Sequence, residues 1–267
     1  MDIYIIIFSF IFGAVIGSFL NVVIIRYNTG KTLKGRSKCV NCNKELTWHE
    51  LMPIISFLLQ KGSCKGCKSK ISWQYPLVEL VMGILSVLIF YIFPPINPDT
   101  SFMTTFHLFI GAILMVIAVY DIKHKIIPDH FVYIFIILSF LSIFLTPSLA
   151  FALPSYQALI AGPIMALPFA LLWLISRGEW IGFGDAKLAL GIGWILGLSM
   201  AVNAFVISFW IAAIISLIWM AITYGKFKPK TEIPFGPYLI LGMYIELFFH
   251  VQIINISFVK ELLISLF

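Results

Sequence analysis

Long apolar segments alternate with short polar ones along nearly the whole chain. Eight of these segments have about 20 residues each, which is the length that a helix needs to cross the hydrocarbon core of a bilayer. The pattern therefore predicts an all-α polytopic membrane protein with about eight transmembrane helices. The sixth and seventh segments nearly merge around Asn203, so the turn between them would be very short. The predicted spans cover residues 3–25, 77–93, 103–120, 131–148, 156–175, 186–201, 203–223 and 238–258.

The composition agrees with this pattern. Hydrophobic residues make up 61% of the chain and charged residues only 11%, whereas soluble domains average about 25% charged residues. A large water-soluble domain is therefore excluded. The first apolar segment has no basic residue before it and is too long for a signal-peptide core, so we expect it to be retained as a span.

Lysine and arginine are distributed unevenly between the two sides of the predicted spans. With eight spans, every Lys and Arg except Lys260 falls on the same side. Basic loops remain in the cytoplasm, so this side is predicted to be cytoplasmic and both termini are predicted to lie outside. The net charge of +6 lies where anionic lipid headgroups are found, and it requires no nucleic-acid partner.

Residues 26–76 form the only long polar segment, and they contain all four cysteines. The cysteines form two C-x-x-C pairs, Cys39–Cys42 and Cys64–Cys67, and each pair is followed at the same spacing by an aliphatic residue, a hydroxyl residue and Trp. Two such knuckles predict a tetrahedral four-cysteine site for structural Zn²⁺, although 21 residues separate the pairs, slightly more than is usual. Two disulfides or free thiols are the alternatives, and the reducing cytoplasm argues against disulfides.

The predicted organisation therefore has three parts. Residues 1–25 form the first transmembrane helix, residues 26–76 a cytoplasmic zinc-binding domain, and residues 77–267 a transmembrane core. So short an insertion has too little core to fold unaided, and bound metal would supply the missing stability.

Two aspartates lie at the edges of apolar segments on the predicted cytoplasmic side. Asp185 follows Gly182-Phe183-Gly184, and Asp121 ends the third apolar segment. Taken singly, Asp185 fits a helix N-cap, and Asp121 fits the point where a helix leaves the membrane; Asp129 fits another cap. Taken as a pair, Asp121 and Asp185 fit aspartyl-protease chemistry, in which one carboxylate activates water and the other, protonated, donates to the carbonyl oxygen.

Glycine and two further acids complete the candidate site residues. Gly182 and Gly184 leave the backbone unshielded, so a substrate backbone could approach them closely. Glu79 lies just inside the second predicted span. Because a carboxylate at membrane depth is costly, it is a candidate for contacting substrate, and a neutral, hydrogen-bonded helix contact is the alternative. For Glu246, in the last predicted span, a neutral, hydrogen-bonded helix contact is favoured.

Six motifs in this order resemble those of the bacterial prepilin peptidases, or type IV leader peptidases, which are intramembrane aspartyl proteases of the Gly-x-Gly-Asp type. The resemblance extends over most of the chain and includes the paired C-x-x-C insertion. The other five motifs begin at Gly17-Ser18-Phe19-Leu20-Asn21, at Tyr75-Pro76-Leu77-Val78-Glu79, at Asp121, at Gly182 and at Pro234-Phe235-Gly236-Pro237.

The resemblance implies that Asp121 and Asp185 are the catalytic pair. It implies prepilin and pseudopilin substrates of type IV pili and type II secretion, cut after a glycine at the cytoplasmic membrane face. It also implies a second activity, N-methylation of the new N-terminus with S-adenosyl-L-methionine. The alternatives are a proton-coupled transporter or a non-catalytic membrane scaffold, and acids gathered at one face rather than strung through the bilayer speak against transport.

Overall fold

The computed structural model describes residues 2–30, 32–145, 151–222, 233–251 and 253. In these residues the regular structure is helical, with three isolated β-bridges and no strand, so the all-α prediction is confirmed. A 3₁₀ turn covers Trp48–Glu50. The α-helices are α1 (Ile3–Arg26), α2 (Ile55–Leu59), α3 (Gln74–Ile92), α4 (Pro98–His124), α5 (Asp129–Ser142), α6 (Tyr156–Ser176), α7 (Phe183–Ile222) and α8 (Gly236–Phe249).

Five of these helices are long and apolar enough to cross a membrane: α1, α3, α4, α6 and α7. The polytopic prediction is therefore confirmed, while the count of eight spans stays a prediction. α5 and α8 have 14 residues each, or about 21 Å of helix. The predicted spans 131–148 and 238–258 extend into residues 146–148, 252 and 254–258, which lie outside the described residues.

The chain forms two compact units, Met1–Val116 and Ile117–Phe267. In the first unit, α1 packs along α3 through glycines on both helices. A Cβ atom at Gly17 would lie 2.8 Å from Cα of Glu79, and one at Gly83 would lie 2.7 Å from the Phe10 ring. Asn21 fastens the same helix pair, because its side-chain amide donates to the Tyr75 carbonyl and accepts from Gln74. Asn21 is thus a packing residue, as expected for a polar group between membrane helices.

The second unit is organised around α7, which packs against α5, α6 and α8. Gly193 lies against α6, where a Cβ atom would be 2.7 Å from the Ala161 carbonyl oxygen, and a Cβ atom at Gly191 would collide with the Phe135 ring of α5. These two glycines allow α7 to pack closely against both neighbouring helices. Glu246 of α8 is 1% exposed and bonds to the side chain of Asn203 in α7, which agrees with a helix contact.

α7 is broken at Gly197, where φ is 72° and ψ is 167°. Before the break, α7 runs antiparallel to α6, because the Phe183 ring contacts Trp173 with ring centroids 4.9 Å apart and Gly193 meets Ala161. A straight continuation would carry Phe205 away from Phe169, yet their ring centroids are only 5.2 Å apart. The chain therefore reverses at Gly197. The reversal lies six residues before the expected point near Asn203, and Gly197 serves this turn rather than helix packing, since a Cβ atom there would meet nothing within 4 Å.

The insertion between α1 and α3 has a very small apolar core. Phe57 of α2 is buried, packs at a tilt against Trp73 with ring centroids 4.9 Å apart, and lies 3.1 Å from a Cβ atom built at Gly62. So small a core leaves most of the stabilisation to other interactions. The predicted three-part division at residues 25 and 76 stays a prediction, because it concerns membrane topology rather than compactness.

Candidate active site

Asp121 occupies the last turn of α4, within the second compact unit. Its side chain is buried, with 4% of the residue exposed, and the backbone N–H of Gly236 donates to its carboxylate. Gly236 is the first residue of α8. A helix N-terminus favours negative charge, because its first N–H groups have no partners within the helix. The start of α8 therefore supports the carboxylate that ends α4.

Asp185 lies in the first turn of α7, two residues after the helix begins. It is 8% exposed, and its carboxylate accepts a hydrogen bond from the backbone N–H of Gly182. Asp185 is thus inside the helix rather than at its N-cap, so the capping interpretation is wrong. It also interacts electrostatically with Asp121. The fold therefore brings together the two carboxylates that the sequence singled out.

Ile127 links the surroundings of both aspartates. A Cβ atom at Gly184 would lie 2.8 Å from Cβ of Ile127, and one at Gly236 would lie 3.3 Å from its Cδ1. The glycine beside Asp185 and the glycine that supports Asp121 therefore pack on the same aliphatic side chain. A side chain at Gly184 would displace Ile127, whereas one at Gly236 would require only a small shift of the end of the Ile127 side chain.

One oxygen of this pair has an unused hydrogen-bonding capacity. Within the described part of the chain, Oδ1 of Asp185 is buried and has no hydrogen-bond partner. A buried acceptor without a partner costs about 1–3 kcal/mol, so such atoms mark places where water or a ligand belongs. Oδ1 of Asp185 is therefore suited to accept a hydrogen bond from a water molecule or, when protonated, to donate one to a substrate carbonyl.

Gly182 and Gly184 have different surroundings. A Cβ atom at Gly182 would lie 3.8 Å from Oδ2 of Asp185, which is ordinary contact, whereas the same atom at Gly184 would collide with Ile127. Gly184 is therefore needed for internal packing, whatever binds beside it. Gly182 has room for a side chain, so a substitution there tests substrate approach more cleanly.

An ion pair joins the starts of α5 and α7 next to Asp185. Nζ of Lys187 lies 2.6 Å from Oδ1 of Asp129, and the same ammonium group lies 4.8 Å from the centre of the Tyr133 ring. Asp129 is the first residue of α5 and follows the N-cap Pro128, so it pairs with lysine instead of capping the helix. The pair fixes the start of α5 against the turn that carries Asp185.

Glu79 belongs to the first compact unit. Its carboxylate is buried, with 6% of the residue exposed, and accepts a hydrogen bond of 2.7 Å from the backbone N–H of Ile54. The Ser18 side chain forms a second hydrogen bond with it. Both contacts come from the protein itself. The prediction that Glu79 contacts substrate is untested by this arrangement.

The four cysteines of the insertion lie together. Their Sγ atoms are all within 4.8 Å of one another, and Sγ of Cys39 and Cys67 are 3.9 Å apart. Four thiolates around one Zn²⁺ at about 2.3 Å stand about 3.8 Å from each other, so the donor set fits zinc. The thiols are free, which excludes the two-disulfide alternative in this structure. The same cluster was expected from the two matching C-x-x-C pairs.

Charged and hydroxyl groups surround this cluster. The Ser69 hydroxyl lies 3.0 Å from Sγ of Cys67, and this contact lowers the pKa of that thiol to about 6. Lys44, between the pairs, donates to the buried carboxylate of Glu50 at 2.9 Å. The hydrogen bond from the backbone N–H of Thr47 has the largest effect on the pKa of Glu50, and the one from Lys44 has the second largest. Together they lower this pKa to about 2. The first knuckle is therefore held in shape by an ionised carboxylate.

Two residues of this site were not identified from the sequence. Gly236 belongs to the motif that begins at Pro234, and Ile127 follows shortly after Asp121, but the sequence gives neither residue a role in the site. Their contacts join segments more than 50 residues apart, so no local spacing reveals them. The one available signal is the glycine between Phe235 and Pro237. The backbone at this helix start does not require glycine, so its presence indicates a close contact with another group.

Two sequence models of known families match the chain. A model described as Bacterial Peptidase A24 N-terminal domain matches residues 11–93, which include the four cysteines and Glu79. A model described as Type IV leader peptidase family matches residues 108–217, which include Asp121 and Asp185. The two matches follow one another along the chain, in agreement with the order of the motifs.

Individual relatives match nearly the full length. A protein of Bacillus subtilis (strain 168) named prepilin leader peptidase/N-methyltransferase is 33% identical over 238 residues, which cover 87% of this chain and 90% of the relative. A protein of Vibrio cholerae with the same name is 28% identical over 256 residues, 92% of this chain and 97% of the relative. No solved structure is significantly similar to the chain. Identity at this level over almost the whole of both chains, together with the family match around the two aspartates, establishes that the chain belongs to the type IV leader peptidase family.

Proposed function

We propose that this protein is a membrane aspartyl endopeptidase that removes the leader peptides of type IV prepilins and pseudopilins, and then N-methylates the new N-terminus. The observation that carries the proposal is the buried pair Asp121 and Asp185, each supported by a backbone N–H at a helix start. Relatives across the matched length are named for leader peptide cleavage and N-methylation. The family match spans both aspartates, and the fold brings them together, which supports assigning the peptidase chemistry to this pair.

The proposed peptidase step needs only this carboxylate pair and water. Two carboxylates held close together in a desolvated site share a proton, because both cannot ionise easily. The ionised member takes a proton from water, which attacks the scissile carbonyl carbon. The protonated member donates to the carbonyl oxygen, and the resulting tetrahedral intermediate collapses with protonation of the leaving amine. Oδ1 of Asp185, which is free of protein partners in the described structure, suits the bond to the attacking water.

The proposed location of the cut follows from where the aspartates lie along their helices. Both lie within one turn of a helix end, so the scissile bond would be cut at the membrane surface rather than at mid-depth. The basic residues predict that this surface is cytoplasmic and that both termini lie outside. The leader would then lie in the cytoplasm, and a helical substrate must unwind locally to expose its carbonyl. Gly182, with its open surroundings, is the place where we expect the unwound backbone to pass.

The insertion is proposed to hold structural Zn²⁺ through Cys39, Cys42, Cys64 and Cys67. Four thiolates leave no open coordination position, so the metal would stabilise the insertion and take no part in hydrolysis. We expect one zinc per chain in metal analysis of the purified protein, and its removal should expose all four thiols to alkylation. A zinc-free protein with an intact, protease-resistant insertion would contradict this assignment.

The second proposed activity rests on the names of the relatives. S-adenosyl-L-methionine would supply its methyl group from the sulfonium centre to the nitrogen of the new N-terminal residue, which loses a proton. The insertion, the second predicted span and the first span from residue 11 onward lie within the range matched by the N-terminal family model. We place no residue of this chain against the methyl donor.

Mass spectrometry of a prepilin tests the proposal directly. The precursor is incubated with purified protein and S-adenosyl-L-methionine, using wild type, Asp121→Asn and Asp185→Asn in parallel. We expect loss of the leader with wild type alone, followed by a mass gain of one methyl group. Methylation of pre-cleaved substrate by the Asn variants would place the second activity at a separate site. Cleavage that survives in either variant would show that Asp121 and Asp185 are not the catalytic pair. An intact precursor in every reaction would favour a transporter or a scaffold.

A further inference from the structure

A strained backbone turn lies at the centre of the insertion. Ile54 has φ 60° and ψ −52°, and the N–H of Ile55 bonds to the carbonyl of Pro53 at 2.5 Å. These are the features of a classic γ-turn, which is rare and strained. A β-branched residue with positive φ is an outlier that persists only when its surroundings hold it in place.

Glu79 supplies the contact that holds this turn. Its carboxylate oxygen Oε2 lies 2.7 Å from the backbone nitrogen of Ile54, which donates the hydrogen bond. The two residues are 25 positions apart, one in the insertion and one on α3. Hydrogen bonds to an ionised or partly buried carboxylate are stronger than those between neutral groups. The turn is therefore fastened to the membrane helix by a single side chain.

The position of Glu79 suits an anchor. The backbone of α1 presses against it, since a Cβ atom at Gly17 would lie 2.8 Å from its Cα atom, and the Ser18 side chain bonds to its carboxylate. Glu79 thus joins α1, α3 and the insertion at one point. Its side chain has no freedom to swing towards a ligand without giving up these contacts.

The turn at Ile54 also directs the next element. α2 begins at Ile55, and its Phe57 packs on Trp73, the residue before α3. If the turn opened, α2 would leave this small core, and the segment that leads to the second cysteine pair would move with it. The hydrogen bond from Ile54 to Glu79 therefore sets the orientation of the insertion relative to α3.

We infer that Glu79 is a positioning residue, which holds the cysteine-bearing insertion on the membrane helices by accepting the backbone N–H of Ile54, and that it does not bind the substrate through its charge. The role of this position in cleavage rests on the proposed function, whereas the anchoring itself does not. It assigns a purpose to an acid that the peptidase chemistry leaves unused.

Four variants of the full chain test the inference. Glu79→Gln keeps an oxygen that accepts the N–H but loses the charge, and Glu79→Ala loses both. Ile54→Gly relieves the strain, because glycine adopts positive φ without cost, and we combine it with Glu79→Ala. Glu45→Ala is the matched control, since it removes an exposed carboxylate of the same insertion that pairs only with Arg36 and Lys38 among the contacts described.

Hydrogen exchange of the backbone amides of residues 54–59 reports anchoring independently of activity, and prepilin cleavage reports its consequence. We expect Glu79→Gln and Glu45→Ala to stay within about threefold of wild type in both measurements. Glu79→Ala should exchange at least about tenfold faster and cleave at least about tenfold more slowly, and the added Ile54→Gly should restore both to within about threefold.

The possible results separate the anchor from its rivals. Loss of cleavage in Glu79→Gln with unchanged exchange would overturn the inference and make the charge of Glu79 a substrate contact. Unchanged exchange in Glu79→Ala would show that the turn does not depend on this residue. If wild type failed to cleave any prepilin while exchange followed the expected pattern, the anchor would stand and the proposed function would fail.

Discussion

Replacing Gly236 by alanine should damage the proposed chemistry while leaving the fold intact. A Cβ atom at this position would lie 2.7 Å from Oδ2 of Asp121, whereas ordinary contact begins at 3.4 Å. The carboxylate must therefore move by about 0.7 Å. A misplacement of about 1 Å can cost about 100-fold in rate, so we expect kcat for leader cleavage to fall by roughly 10- to 100-fold, or about 1.4–2.7 kcal/mol in activation free energy.

The backbone gives no reason for Gly236→Ala to unfold the protein. Gly236 is not among the residues with positive φ, and alanine at a compatible position tends to stabilise by about 0.4–1 kcal/mol. Gly242, in the same helix, is the matched control: a Cβ atom there would collide with Ser208 and with the Ala204 carbonyl of α7. Gly242→Ala should therefore lower the melting temperature.

The assay is the initial rate of leader removal at saturating prepilin, followed by mass spectrometry, with thermal unfolding measured on the same samples. Asp121→Asn sets the floor of activity. Wild-type kcat in Gly236→Ala would refute the reasoning, because it would mean that the Asp121 carboxylate can shift without consequence. A drop in melting temperature as large as that of Gly242→Ala would also refute it, since the loss would then be one of folding.

Three further variants probe other parts of the structure. Gly182→Ala fits the free protein, so we expect normal stability but at least about tenfold slower cleavage if substrate backbone passes there; wild-type rates would place the substrate elsewhere than beside Asp185. Asp129→Lys and Lys187→Asp should each slow cleavage, and the double exchange should recover most of the loss because it restores an opposite-charge pair; a double variant worse than both singles would exclude the ion pair as the cause. Glu50→Gln should destabilise the insertion at pH 7, as measured by hydrogen exchange. Because folding lowers the pKa of Glu50 to about 2, its stabilisation is present above the unfolded value of about 4.3 and is lost as pH falls towards 2, so wild type and variant should converge across that window.

The sequence predicted those parts of the site whose signal is local. The cysteine cluster follows from two matching C-x-x-C pairs, and Asp185 from its position directly after two glycines. The chemistry of two carboxylates and the distribution of basic residues place Asp121 and Asp185 at the same face and predict that they act as a pair. Spacing along the chain is sufficient in these cases because each ligand or acid belongs to a short motif with a defined geometry.

The remaining parts depend on contacts that hydropathy does not encode. The reversal at Gly197 was expected near Asn203, since an average over apolar residues cannot register one residue with unusual φ and ψ. Ile127 became important only because two distant glycines pack on it. The depth of Glu79 in its span predicts a substrate contact, whereas the structure gives its carboxylate a donor from the insertion, the backbone N–H of Ile54, 25 residues earlier. No residue pattern reveals such a donor, because every residue type except proline carries a backbone N–H.

The reversal at Gly197 also determines at which end of the second unit the chain continues after α7. The values φ 72° and ψ 167° belong to a region that essentially only glycine occupies. If a side chain at this position straightened α7, its 40 residues would form one rod of about 60 Å. The segment after it would then begin at the opposite end of the unit, and Gly236 could no longer reach Asp121. One residue far from the aspartates thus decides at which end of the unit the last helix begins. A substitution there would remove Gly236 from Asp121 and leave the site incomplete.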